Sequence, residues 1–360
     1  MPALHDLRRN AALSFAALPL SWWAERTYQA MPRLAASTAT SLPFLSVIIP
    51  ARNEEHNLPR LLASLQHLRY PGPLEIIVVN DGSTDHTATV AAAYGARVLT
   101  LDHLPAGWAG KPHACDAGAR VAAGEWLLFT DADTIHTPDS AARAVTMAIT
   151  QRLDGLSLFL QQASSGWLDR LALTAAYAGL FAGAEPQTRL FNGQYILLHR
   201  DVYWQSGGHA AVRAEALEDL ALGQHLRRSR YRVPVYRGED AATVYMYSDT
   251  RQLWGGMKRL GAESLRWGGV RTAWTALLVT ALMSPLVVLI GVCTGQLRRR
   301  WLPTTWAAVA LSMLPWARRF GARGWAVATP LGALLVQAAA VWGVINRLLG
   351  RGVSWKGRRV

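Results

Sequence analysis

The sequence predicts an α/β protein: a mostly parallel sheet with helices on both faces, followed by C-terminal transmembrane helices. Between residues 44 and 130, short continuous apolar runs alternate with segments of helical period, as strands buried on both faces and their crossover helices do. Polar clusters follow the first, second and fourth of these runs, where open parallel sheets gather their ligands. In the last third, three uncharged apolar stretches each approach the roughly 20 residues that cross the hydrocarbon core of a bilayer.

The first strand is Phe44 to Pro50, after which Leu58, Leu61, Leu62 and Leu65 recur at helical spacing. Leu74 to Asn80 is the second strand, followed by Asp81-Gly-Ser-Thr-Asp85 and a helix from Thr87 to Ala93. Arg97 to Leu101 is the third. A Gly- and Pro-rich loop then leads to a helix from about His113 to Ala123, and the fourth strand is Trp126 to Thr130. The apolar stretches further on are Trp274 to Cys293, Trp301 to Ala317 and Trp325 to Asn346, with Trp and Arg at their ends as interfacial anchors have. The domain plan is therefore an apolar, interfacial segment over 1–43, a catalytic domain over 44–250, an amphipathic segment over 251–271, three spans within 272–349 and a basic tail over 350–360.

Charge separates the two parts. From Arg251 onward there are 16 Lys and Arg against the single acid Glu263, whereas the first 250 residues are close to neutral. Positive charge that flanks apolar spans points to anionic lipid headgroups and away from nucleic acid. Cys115 and Cys293 fall in unlike segments and make no disulfide framework. Ala11 to Ala24, with Pro19 inside it, is short for a span and reads as an interfacial helix or short anchor. The loops between the expected spans are all basic, so positive-inside counting does not orient them.

The chemistry begins at Asp131 and Asp133. In an extended backbone, alternate side chains share a face, so both carboxylates could meet one hard cation, Mg2+ or Mn2+; a plain polar turn after the strand is the other reading. Asp81-Gly-Ser-Thr-Asp85 is equally a turn into a helix, with Ser83 or Asp85 as its cap. Glu218-Asp219 suits a helix first turn, where acids favour the dipole.

Together these segments resemble the family 2 glycosyltransferases, which bind nucleotide sugars on a GT-A fold. Ser46-Val-Ile-Ile-Pro-Ala-Arg-Asn-Glu-Glu55 is similar to that family's opening strand and loop, Ile76 to Asp85 to its second strand, Thr130-Asp-Ala-Asp133 to its metal-binding Asp-x-Asp, and Gly110-Lys111 to its diphosphate lysine. Asn192-Gly-Gln-Tyr-Ile-Leu, Gly207-Gly-His209 and Glu218-Asp219 resemble its acceptor floor, glycine turn and acidic pair. The tail Gly352-Val-Ser-Trp-Lys-Gly-Arg358 and the loop Leu104 to Lys111 resemble members tied to carotenoid and hopanoid biosynthesis. The Gln-x-x-Arg-Trp signature of polymer synthases is missing, with Arg251-Gln-Leu-Trp254 in its place, so processive synthesis is not expected.

The resemblance implies a site. Asp131 and Asp133 would hold the metal; Pro50, Ala51, Arg52, Asn53, Glu54, Asp81, Gly82, Lys111, Asp131, Ala132, Gly207 and Gly208 would hold a donor, most simply a UDP-sugar. Asp219, beside Glu218, would be the base, with Asn192, Gly193, Gln194, His209 and Trp254 on the acceptor side. It further implies an inverting enzyme of the cell membrane, multi-pass, with its catalytic domain on the cytoplasmic face and a lipid hydroxyl as acceptor. A polyprenyl-phosphate acceptor and a catalytically silent scaffold are the alternatives. Trp167 to Ala184 and Arg251 to Gly269 are expected to line the path from the bilayer, a buried core helix being the alternative for the first and a simple linker for the second.

Overall fold

Eight strands make one sheet in the computed structural model: β1 (Leu45–Ala51), β2 (Leu74–Asn80), β3 (Arg97–Thr100), β4 (Trp126–Thr130), β5 (Thr134–His136), β6 (Gly155–Gln162), β7 (Tyr195–His199) and β8 (Val235–Val244). Their order across the sheet is β3-β2-β1-β4-β7-β6-β8-β5. The structure describes residues 2–164, 166–183, 191–247, 249–267, 269–351, 354–355 and 358–359; Ala184 and five of the eleven residues of the expected basic tail lie outside them.

β1, β2, β3 and β4 pair in parallel, as their apolar, β-branched sequences predict. The remainder is mixed. β7 runs antiparallel to both β4 and β6, β5 runs antiparallel to β8, and β6 pairs parallel with β8. Four of the seven pairings are parallel, so the sheet is mostly but not wholly so. The helix Gly110–Val121 lies tightly on β1 and β2: a Cβ on Gly118 would sit 2.5 Å from Ile48 Cγ2 and 2.9 Å from Val79 Cγ2. It begins three residues earlier than the sequence suggests, which puts Lys111 in its first turn, at the carboxyl edge of the strands.

The chain divides into two units, Met31–Gln162 with Pro186–Met246, and Met1–Ala30 with Ala163–Glu185 and Tyr247–Val360. The first holds the sheet. The second is helical, and it takes residues 163–185 out of the stretch expected to be one domain over 44–250.

In the helical unit the N-terminal apolar run is part of one 28-residue helix, Pro2–Gln29, continuous through Pro19. Polar side chains tie it to its neighbours. Ser14 Oγ lies 2.6 Å from Ser284 Oγ, and Ser21 donates to the Ser312 carbonyl. Glu25 accepts two bonds from the Arg319 guanidinium at 3.0 Å. Arg319 also covers the Tyr28 ring at 3.8 Å, and Tyr28 packs edge-on against Phe181 and Trp316. Helix Trp167–Gly183 is the buried core helix of this unit, with Leu171, Ala175, Ala178 and Phe181 fully enclosed. Glycines let helices Thr250–Trp267 and Thr329–Leu348 touch, since Gly261 lies on the Ala340 backbone and Gly343 on the Lys258 carbonyl.

Two helices among the described residues are long and apolar enough to cross a membrane, within Ala273–Cys293 and Arg323–Leu348. The third expected span forms helix Trp301–Arg319 but does not meet that measure; its apolar run is the shortest, and Arg318 and Arg319 end it.

Candidate active site

Two loops at the carboxyl edge, after β1 and β2, are stitched side by side. Ala51 ends β1 and its carbonyl accepts from Asp81 N; Arg52 reaches across to the Asp81 and Gly82 carbonyls at 2.7 and 3.2 Å. Asn53 takes a left-handed backbone with φ 54°, which a short polar side chain tolerates, and bonds both ways: its N–H to Ser83 Oγ, its Oδ1 from Thr84 N. Glu54 N–H donates to Thr87 Oγ1, and Glu55 and Asp85 exchange further bonds with the opposite loop. Ser83 is thus spent on Asn53 and does not cap the helix Thr87–Ala93; Asp85 instead accepts from Thr87 N and Oγ1. Pro50 lies within β1 beside Val79, while Glu54 and Asp81 are buried.

Asp131 and Asp133 do not continue an extended strand. Asp131 to Thr134 form a turn in which Thr134 returns its N–H and its hydroxyl to the Asp131 carbonyl. The buried Ala132 lies inside this turn, and the Asp133 carbonyl accepts from Tyr245 N. Thr130, Thr134, His136 and Ser140 hold it from below with short polar contacts. Burial pushes the His136 pKa down to about 4, so the ring beneath the turn is neutral.

Lys111 brings the loops to one point. Its ammonium lies 2.7 Å from Asp131 Oδ1 and 3.0 Å from Glu218 Oε1, with a third of the side chain still exposed. Burial works against its charge, but the carboxylates of Asp131, Glu218 and Asp219 outweigh it and hold the pKa well above the usual lysine range. Asp219, in the first turn of helix Glu218–Arg228, accepts from Gly193 N at 2.9 Å and from Leu220 N at 2.8 Å. Burial and the neighbouring Glu218 push its pKa up to about 6 against the opposing pull of Lys111 and these two donors. Gly193 fits here because a Cβ would stand 3.0 Å from Lys111 Nζ and 3.1 Å from Asp219 Oδ2.

Gly207 (φ 81°) and Gly208 (φ 48°) make the glycine turn, and a Cβ on Gly208 would strike the Tyr203 ring. His209 is buried, shares a proton with Tyr203 Oη at 3.1 Å and meets Phe129 edge-on. Burial lowers its pKa to about 3, which favours the neutral ring. Asn192 and Gln194 bond to each other beside Gly193. Trp254 lies on helix Thr250–Trp267 of the helical unit. Sequence reasoning missed Ser157 and Gln162 of β6, which bond Asn192 and Gln194; the only signal was a buried-strand pattern carrying polar residues at those positions.

A divalent cation such as Mg2+ or Mn2+ asks for hard oxygen donors and fills its remaining shell with phosphate and water. Among the described residues no three His, Cys, Asp or Glu converge into a cage. The hard oxygens at this edge are the carboxylates of Asp131 and Asp133, with Glu218 on the other side of Lys111. Asp131 already faces one cation, the Lys111 ammonium.

Known proteins resemble this chain in sequence and in fold. The profile described as Glycosyl transferase family 2 matches residues 46–220. A 4,4'-diaponeurosporenoate glycosyltransferase of Staphylococcus aureus (strain bovine RF122 / ET3-1) is 30% identical over 264 residues, covering 69% of this chain and 68% of that protein. Its counterpart in strain USA300 is 29% identical over 283 residues, covering 74% and 73%. Among solved structures, the mannosyltransferase PcManGT from Pyrobaculum calidifontis, in complex with GDP-Man and Mn2+, superposes with a TM-score of 0.54 at 20% identity, covering 96% of this chain and 99% of that one. The likeness to PcManGT is one of fold.

Proposed function

Because the chain belongs to glycosyl transferase family 2, we propose that it moves a sugar from a nucleotide-diphosphate donor to a hydroxyl of a membrane lipid of carotenoid type. The observation that carries this reading is the Lys111 ammonium set between Asp131 and Glu218, with Asp219 within reach across Gly193.

The residues divide the work. Loops 51–55 and 81–85, rigid through their mutual hydrogen bonds, hold the base and ribose and so orient the donor. Lys111, in the first turn of its helix, adds its own charge to the positive end of the helix dipole as the diphosphate leaves. Asp131 and Asp133 would hold Mg2+ or Mn2+, which as a Lewis acid offsets the charge on the leaving diphosphate. The acceptor oxygen attacks the anomeric carbon, the bond from that carbon to the diphosphate oxygen breaks, and Asp219 takes the acceptor proton. One displacement inverts the anomeric centre. Above about pH 6 Asp219 is ionised, so it is a competent base at neutral pH.

The carotenoid-type acceptor is supported by the names of the Staphylococcus aureus relatives, whose own acceptor, a diaponeurosporenoate, is by its name a carboxylate; the hydroxyl is supported by the buried Asp219 set to take a proton. Placement in the cell membrane is supported by the two apolar helices and by Trp22, Trp23, Trp274, Trp325 and Trp342 exposed on the helical unit. The test is transfer by the purified chain from UDP-sugars to lipid acceptors, with Asp219→Asn beside it. Loss of transfer with donor binding intact supports a hydroxyl acceptor. A rate near wild type would instead mean an acceptor that is already an anion.

A further inference from the structure

Ser157 takes no part in the reaction as set out above, yet it is fully buried in β6 and spends its hydroxyl on a single residue. Its Oγ accepts from the Asn192 amide at 2.8 Å and donates to the Asn192 carbonyl at 3.1 Å. That carbonyl shares one planar peptide with the Gly193 N–H. The N–H in turn donates to Asp219 Oδ2 at 2.9 Å. Because the peptide is rigid, fixing its oxygen fixes the direction of its N–H, and a donor on the oxygen also polarises the N–H. Glycine at 193 leaves the plane little steric resistance to rotation, so a clamp is needed there. Tyr195 N reaches the same carbonyl at a longer 3.3 Å. The Asn192 side chain is held separately by Gln194, and Gln194 by Gln162.

We propose that Ser157 is a positioning residue for sugar transfer: by clamping the Asn192–Gly193 peptide it keeps the Gly193 N–H on Asp219 and so keeps that carboxylate in one orientation. The proposal rests on Asp219 being the base. Asp219 is also faced by Glu218, by Lys111 with Asp131 beyond it, and by its second donor, Leu220 N. His209, near Glu218 and Lys111, is neutral. None of these groups bonds to Ser157, so its removal should act on Asp219 through the peptide alone.

Ser157→Ala and the near-isosteric Ser157→Cys, in wild-type and Asp219→Asn full-length chains, provide the test. Both single variants should lower kcat about ten-fold, the loss of one hydrogen bond to a charged group's partner, with the donor KM within about two-fold of wild type. The acid limb of the pH profile should move upward, since an acid that loses a donor to its ionised form holds its proton more tightly. In the Asp219→Asn background, Ser157→Ala should add no further loss of the residual rate. Full activity in Ser157→Cys, an unmoved acid limb, or an equal loss in both backgrounds would overturn the proposal. If Asp219→Asn alone transfers at the wild-type rate, the base assignment itself fails, and that is seen before Ser157 is changed.

Discussion

Replacing Lys111 with Gln should disable the base as well as the leaving-group side of the site. A Cβ on Gly193 would touch both Lys111 Nζ, at 3.0 Å, and Asp219 Oδ2, at 3.1 Å. The two charges therefore stand within roughly 6 Å, where an effective dielectric of about 20 makes their attraction roughly 2–3 kcal/mol, or about two pKa units. Lys111 lowers the Asp219 pKa, which burial and Glu218 have raised to about 6. Without the ammonium it should rise toward about 8, so at neutral pH most of the carboxyl would be protonated and unable to accept a proton. Loss of the fixed charge beside the leaving diphosphate removes about a further 10²–10³ in kcat. The assay is nucleotide release coupled to lipid glycosylation, measured from roughly pH 5 to 9 for wild type and Lys111→Gln. The variant should recover part of its rate as pH rises, with its acid limb displaced upward by about one to two units. An acid limb that stays near 6, with only a uniform drop in rate, would refute the coupling.

Other outcomes follow from the same geometry. Asp219→Asn should lower transfer by about 10²–10⁴ while leaving donor affinity within about two-fold, as read by calorimetry with the nucleotide sugar. Chelation with EDTA should abolish transfer, and Mn2+ or Mg2+ should restore it in the wild type but not in a chain carrying both Asp131→Ala and Asp133→Ala; full activity in chelator would refute metal dependence. Gly118→Ala should destabilise the sheet unit by about 1–3 kcal/mol, because the new methyl meets the stiff β-branched side chains of Ile48 and Val79 in a closed core. A thermal melt that does not move would show that the helix can shift away from the sheet.

The parts of the fold that were legible in the sequence are those whose signal is local. β1, β2 and β4 are β-branched or aromatic runs bounded by polar loops, and their observed limits lie within a residue of the expected ones. Helix Trp167–Gly183 was apolar enough to be seen, but composition does not say which unit buries it, and it belongs with the helical unit rather than with the sheet around it in sequence. Arg170, which closes its first turn, bonds the Ser164 carbonyl within that unit. β7 and β8 pair with partners far away in sequence, so no short-range pattern announces the antiparallel half. In the site, Asp131 and Asp133 were legible as a pair but not as a turn, because their conformation is set by Thr134 and by Tyr245 more than a hundred residues on. Lys111 was visible as a motif, but its bridge between Asp131 and Glu218 is a product of tertiary packing. Ser157 gave no sign, since a serine in a strand is unremarkable until its hydroxyl is seen to hold another residue's peptide.

The central claim is that the cluster of Lys111, Asp131 and Asp219 transfers a sugar to a membrane lipid. Mass spectrometry of total lipids from cells producing the wild-type chain or Asp219→Asn at equal levels tests it most directly. The account predicts a pigmented or other apolar lipid whose mass rises by one hexose or deoxyhexose only with the wild-type chain. Identical lipid profiles in the two, with both proteins folded and in the membrane, would contradict it.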